Sequence, residues 1–171
     1  SYGVWEALDL SEVIDDLDRR GLIAGDLAVF GHSMGAAVAI QAAAVDPRID
    51  AVIAVSGFAS LHEEVKDFAS WKAPYLRWLV NDWVLGAAVD RAGQLAGFDP
   101  EAASPVRAIA VTDTPVLLLH GDADDIVPIR HAHMIRKARP ENTRLVTFKG
   151  ADHWSLMKVQ FEPFREICLD W

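Results

Sequence analysis

The sequence predicts an α/β fold: a parallel sheet with flanking helices. Three observations carry this. Short apolar runs alternate with helical periodicities along the chain. The runs are apolar throughout, as in strands covered on both faces. At 171 residues, 51% of them hydrophobic and 24% charged, the chain fits one domain with a real core.

Leu10, Val13, Ile14 and Leu17 fall at helical spacing, and Gly21 after Arg19-Arg20 reads as a helix end in the left-handed conformation. Leu27 to Phe30, "LAVF", is a short buried strand, read as central and covered on both faces. Gly35 to Val45 is alanine-rich, a helix able to pack closely on a sheet. Ala51 to Ser56 is a second strand and Pro115 to His120 a third, with Pro at its start, where the missing N–H costs least. Ile129 to Arg139 is a helix ending near Pro140, and Arg144 to Phe148 is a fourth strand. Ser155 to Cys168 is a last helix capped by Ser155 and kinked or broken by Pro163. This alternation implies parallel pairing.

Residues 58–98 interrupt the rhythm. The segment holds Trp71, Tyr75, Trp78 and Trp83 with aliphatic residues between them, and it is too long for a strand-to-helix loop. We read it as an inserted helical cap within a single domain of residues 1–171. Its aromatics pack the cap onto the body, and one or two of them line an apolar substrate cleft.

The chemistry starts at Gly31-His32-Ser33-Met34-Gly35, which fits G-x-S-x-G. A nucleophile on a tight strand-to-helix turn takes strained dihedrals, and glycines two before and two after it relieve the crowding. The pattern is weak alone, but it sits after an apolar strand and before a small-residue helix. "HGDADDIVPI", His120 to Ile129, follows the third strand and offers Asp122, Asp124 and Asp125. "KGADHWSL", Lys149 to Leu156, follows the fourth and offers His153. Serine, aspartate and histidine thus each follow the C-terminal end of a parallel strand, where sites of open α/β sheets assemble. A serine hydroxyl needs a base to take its proton, and the base needs an acid to hold its tautomer.

With these pieces in place, the chain resembles the α/β-hydrolase superfamily, and within it bacterial serine esterases and peptidase-like hydrolases with a small helical cap. "GHSMGA", "HGDADDIVP" and "GADHW" carry the resemblance, with "FDPEAASPVRAIA" and "YGVWEALDLSEVIDDL" beside them. The likeness implies Ser33 as nucleophile, His153 as base and Asp124 as acid, the last from the H-G-x-x-D-x-x-V-P pattern. It implies the Met34 backbone N–H as one oxyanion donor, while the aromatic density near the expected cleft marks Trp78 and Trp154 as substrate contacts. The implied activity is hydrolysis of an ester, thioester or amide through an acyl-enzyme. The alternative is an incompetent fragment or interaction module that keeps the triad residues.

The sequence departs from the family in one respect. The family's strands ahead of the opening helix have no counterpart here, nor does the loop that normally supplies a second oxyanion donor. We expect the C-terminal part of a longer hydrolase, or a chain needing a partner: an α/β-hydrolase fold lacking its N-terminal strands.

Other readings are narrower. A net charge of -9 argues against nucleic acid as the main partner. The expected partner is a small, apolar acyl substrate, with no cofactor, no metal and no membrane span. A single cysteine, Cys168, excludes an internal disulfide and leaves the compartment open, a cytoplasmic one being favoured. His32 and Met34 read as packing, His120 as a structural donor in its loop, and His62 with Glu63 and Glu64 as a solvated helix start. His131 and His133 lie two apart on a helix and share no face.

Overall fold

A computed structural model describes residues 1–76, 81–159 and 161–171. The chain runs α1 (Glu6–Arg19), β1 (Ala28–His32), α2 (Met34–Ala43), β2 (Ala51–Val55), α3 (Leu61–Lys72), α4 (Asp82–Ala96) and α5 (Pro105–Ile109). It continues with β3 (Val116–Gly121), α6 (Arg130–Ala138), β4 (Thr143–Phe148), α7 (Leu156–Val159) and α8 (Phe161–Asp170). A short 3₁₀ turn, Pro74–Leu76, follows α3.

Each strand is followed by a helix that returns the chain to the same end of the sheet, so the strands pair in parallel. Among the described residues they form one sheet in the order β1-β2-β3-β4. Ala28 pairs with Ala51, Val52 with Val116, and Val116 with Thr143. β3 is buried along its whole length, as a strand covered on both faces must be. The strand alternation divides the core into two layers. Val52, Ala54, Val116 and Leu118 meet Ile14, Ile40, Ile109 and Ile135 on one face. Val55, Leu117 and Leu119 meet Phe148, Leu156 and Phe164 on the other.

β1 has an open edge, as the sequence implied, but its faces are less covered than expected. It pairs with β2 on one side and forms the edge of the sheet among the described residues. Phe30 is half exposed, meeting Phe164 edge-on at 6.2 Å between ring centres. The apolar run is therefore not buried on both faces.

The last region forms two helices where the sequence predicts one, kinked or broken by Pro163. The region carries α7 and α8, and Pro163 falls in the first turn of α8, where its missing N–H has no helical partner to lose. The Ser155 hydroxyl accepts the backbone N–H of Asp152, while Asp152 Oδ1 accepts the N–H groups of Trp154 and Ser155.

α3 and α4 occupy the long segment between β2 and β3. The side chains of Ser60 and Asn81 cap them, and α4 ends at Gly97 in the left-handed conformation. Leu61, Val89 and Ala103 tie them to the body. Among the described residues, no helix is long and apolar enough to cross a membrane.

Candidate active site

Three loops at the C-terminal ends of β1, β3 and β4 converge. Ser33 is the turn between β1 and α2 and holds φ 57° and ψ -119°, a conformation few non-glycine residues adopt. Its N–H donates to the Val55 carbonyl at 2.8 Å, which ties the turn to β2. The turn is tight enough that a β-carbon on Gly31 would stand 2.1 Å from the Gly35 carbonyl oxygen. Gly35 itself has open space where a β-carbon would go, so only the first of the two glycines is needed for clearance. This corrects the symmetrical role expected from the motif.

Asp124 lies in the loop after β3, and both its oxygens are engaged. Oδ1 accepts the N–H groups of Ile126 and Val127 at 3.1 and 2.9 Å. Oδ2 lies 2.8 Å from His153 Nδ1, and His153 Nε2 lies 3.1 Å from Ser33 Oγ. Burial alone would raise the Asp124 carboxyl. The hydrogen bonds from His153 and Val127 outweigh it and hold the group below the ordinary carboxylate range. An ionised Asp124 accepts the Nδ1 proton, which leaves a lone pair on Nε2 facing the Ser33 hydroxyl. Asp124 and His153 are both buried.

The other aspartates of the loop go elsewhere. Asp122 accepts the Gly150 N–H at 2.6 Å, clamping the β4 loop to the β3 loop, and Asp125 is exposed. Gly121 allows the same closure, since a β-carbon there would meet the Ala151 carbonyl oxygen at 2.1 Å.

Three histidines brace this arrangement. His32 Nε2 donates to the His153 carbonyl at 3.1 Å, and its ring stands 4.9 Å from the His153 ring. Burial keeps its pKa below the usual histidine value. His32 therefore does more than pack. His120 Nε2 donates to the Val127 carbonyl at 2.8 Å, and burial lowers its pKa as well. His131, fully buried, takes the Ala59 N–H on Nδ1 and sends its Nε2 proton to Asp67 at 2.8 Å. Sequence spacing could not find this role, because both partners come from other elements.

A cavity of about 580 Å³ opens over the serine, lined by Ser33, His153, Met34, Phe58, Trp71 and Trp154 among others. Trp154 is 61% exposed and stands edge-on to the His153 ring. Tyr75 and Trp83, 71% and 78% exposed, are not among the lining residues. Trp78 lies outside the described residues. A larger cavity, about 960 Å³, lies between α3 and α4, but it contains none of Ser33, Asp124 and His153. The smaller one is where the loops converge. Met34, half exposed, lies on its wall, and its N–H opens α2, where the first amides lack helical partners.

The sequence expectation for the start of α3 needs correction. Glu63 is paired with Lys66 and Arg130, at 3.1 and 2.9 Å. Glu64 is turned inward with 13% of its side chain exposed, because the helix rests this face on the body. Neither is a freely solvated carboxylate. Among the described residues no three His, Cys, Asp or Glu side chains cluster in a way that would hold a metal.

Comparison with known proteins places this arrangement. The chain is 26% identical over 158 residues to the uncharacterized protein YqkD of Bacillus subtilis, covering 90% of this chain and 50% of that protein. It is 30% identical over 146 residues to the 2,6-dihydropseudooxynicotine hydrolase of Paenarthrobacter nicotinovorans, covering 84% of this chain and 37% of that one. The chain thus spans half or less of the length of these relatives. An esterase of Pyrococcus furiosus superposes with a TM-score of 0.74 at 21% identity, over 99% of this chain and 62% of the other. A puromycin-hydrolyzing peptidase of Mycobacterium tuberculosis superposes with a TM-score of 0.67 at 24% identity, over 89% of this chain and 22% of the other. The fold is that of the α/β-hydrolases, the part these 171 residues share with longer chains. The model of the prolyl oligopeptidase family matches residues 1–167, nearly the whole sequence, and to that family this chain belongs.

Proposed function

We propose that this chain carries the catalytic machinery of a serine hydrolase that cleaves an ester, thioester or amide through an acyl-enzyme. The supporting observation is the continuous line from Asp124 Oδ2 through the His153 ring to Ser33 Oγ, with steps of 2.8 and 3.1 Å. Ser33 Oγ attacks the carbonyl carbon while its proton passes to His153 Nε2. The carbonyl oxygen becomes the oxyanion, and the Met34 N–H is one donor for it. The imidazolium, held by Asp124, returns the proton to the leaving group as the carbonyl–heteroatom bond breaks. Water then attacks the acyl-enzyme by the same route, and Ser33 recovers its proton.

Helix α3 of the inserted segment acts as a cap over this cleft, with Trp71 and Trp154 as apolar contacts for the acyl group. The three similar proteins named as a hydrolase, an esterase and a peptidase support the reaction class and leave the leaving group open.

A fluorophosphonate probe tests the reading. Mass spectrometry should find the label on Ser33 and lose it in Ser33→Ala, with the melting transition retained. Label on another residue, or none on a folded chain, overturns it.

A further inference from the structure

The cleft over Ser33 is apolar for most of its surface, with Phe58, Leu61, Val65, Phe68, Trp71 and Ile126 in its wall. Glu64, from α3, lies in the same wall. Its Oε2 is buried and makes no hydrogen bond. A buried carboxyl oxygen without a donor is costly, and native structures rarely leave one.

Two of the protein's own donors nearby are committed elsewhere. His131 Nε2 stands 3.8 Å from Glu64 Oε2, but its proton goes to Asp67 at 2.8 Å, and its Nδ1 already accepts the Ala59 N–H. Arg130 bonds Asp67 at 2.7 Å and Glu63 at 2.9 Å. Lys72 also reaches the cavity wall, with its ammonium 5.4 Å from the Trp71 ring centre. The carboxylates of Asp67 and Asp124 add negative potential at Glu64, and Arg130 offsets part of it. Lys72 is the cation of the wall, but it does not bond Glu64, whose buried Oε2 is left open to a cationic donor from the cleft.

The geometry points to Glu64 as a specificity-determining residue that selects acyl substrates bearing a protonated amine on an apolar chain. The amine would supply the missing donor and counter-charge while the chain lies along Phe58, Phe68 and Trp71. The inference rests on the proposed acyl cleft. It goes beyond it by naming the charge the acyl group carries. Burial, reinforced by the Asp67 and Asp124 carboxylates, pushes the empty Glu64 up to about 8, so docking an ammonium would displace its proton.

The test is an NMR titration of the full chain with n-hexylammonium and with 1-hexanol. Wild type should bind the amine about tenfold more tightly, the worth of one hydrogen bond to a charged group. Glu64→Gln, of the same shape, should remove that difference and keep hexanol binding. On wild type alone, amine binding should tighten as pH rises from about 6 to about 8, while hexanol binding stays level. The groups facing Glu64 are Asp67 from its own helix, Arg130 and His131 from α6 and Asp124 from the β3 loop, and Lys72 and His153 line the same cavity. Equal binding of the two probes by wild type overturns the inference, as does a level pH profile for the amine. Equal weakening of both probes by Glu64→Gln overturns it too. Fluorophosphonate labelling of Ser33, run in parallel, keeps the two readings separate. Labelling without amine preference sinks the role of Glu64, and amine preference without labelling sinks the hydrolase reading.

Discussion

The ring of His32 is hydrogen bonded to the backbone of His153 across 121 residues of chain, with Nε2 3.1 Å from the carbonyl oxygen. The residue beside Ser33 thereby holds the loop that carries His153. The contact couples the β1 turn to the β4 loop directly, without passing through Asp124.

His32→Phe keeps the ring and removes the bond. We expect kcat on a short p-nitrophenyl ester to fall about fivefold, the worth of about 1 kcal/mol, with KM little changed. Hydrogen exchange at residues 151–155 should rise alongside. An unchanged kcat would return His32 to a packing role.

Asp124→Asn should leave the fold intact and lower kcat by about 10⁴, because an amide cannot hold the Nδ1–H tautomer of His153. Asp125→Asn, on an exposed side chain, should change the rate less than about twofold. Comparable losses in both variants would mean that the acid is not defined by the 2.8 Å contact.

The two glycines of the turn should separate under mutation. Gly31→Ala places a methyl against the Gly35 backbone and should cost at least about 1–3 kcal/mol, with a lower melting temperature. Gly35→Ala fills open space inside α2 and should gain about 0.5–1 kcal/mol from helix propensity. Thermal melts of the two variants decide the matter, and equal destabilisation would contradict the asymmetry.

Glu64 sets a pH dependence of stability. Its proton is held to about 8 in the folded chain against an ordinary value of 4.5. Below 4.5 both states are protonated and the group contributes nothing. Between 4.5 and about 8 the unfolded chain has released the proton and the folded chain keeps it, so stability falls as pH rises. Melting curves of wild type should therefore decline across that window relative to Glu64→Gln. Parallel curves for the two proteins would remove the basis for a raised Glu64.

The sequence by itself determined the alternation of strands and helices, and with it the parallel sheet. Strand burial and helix amphipathicity are written in local periodicity. It also brought Ser33, Asp124 and His153 to one end of the sheet, since each follows a strand and parallel strands end together. Periodicity could not decide how far each face is covered. "LAVF" reads as buried, yet Phe30 is half exposed, because coverage depends on what the rest of the chain places beside an edge strand. The same limit applies to side chains whose partners are distant. His131 became a buried brace through Ala59 and Asp67, and Glu64 turned from the solvent into the cleft as α3 docked. Neither outcome has a local signature. A helix start rich in glutamate looks the same in sequence whether its face meets water or a cavity, and only the docking of α3 beside α6 distinguishes the two.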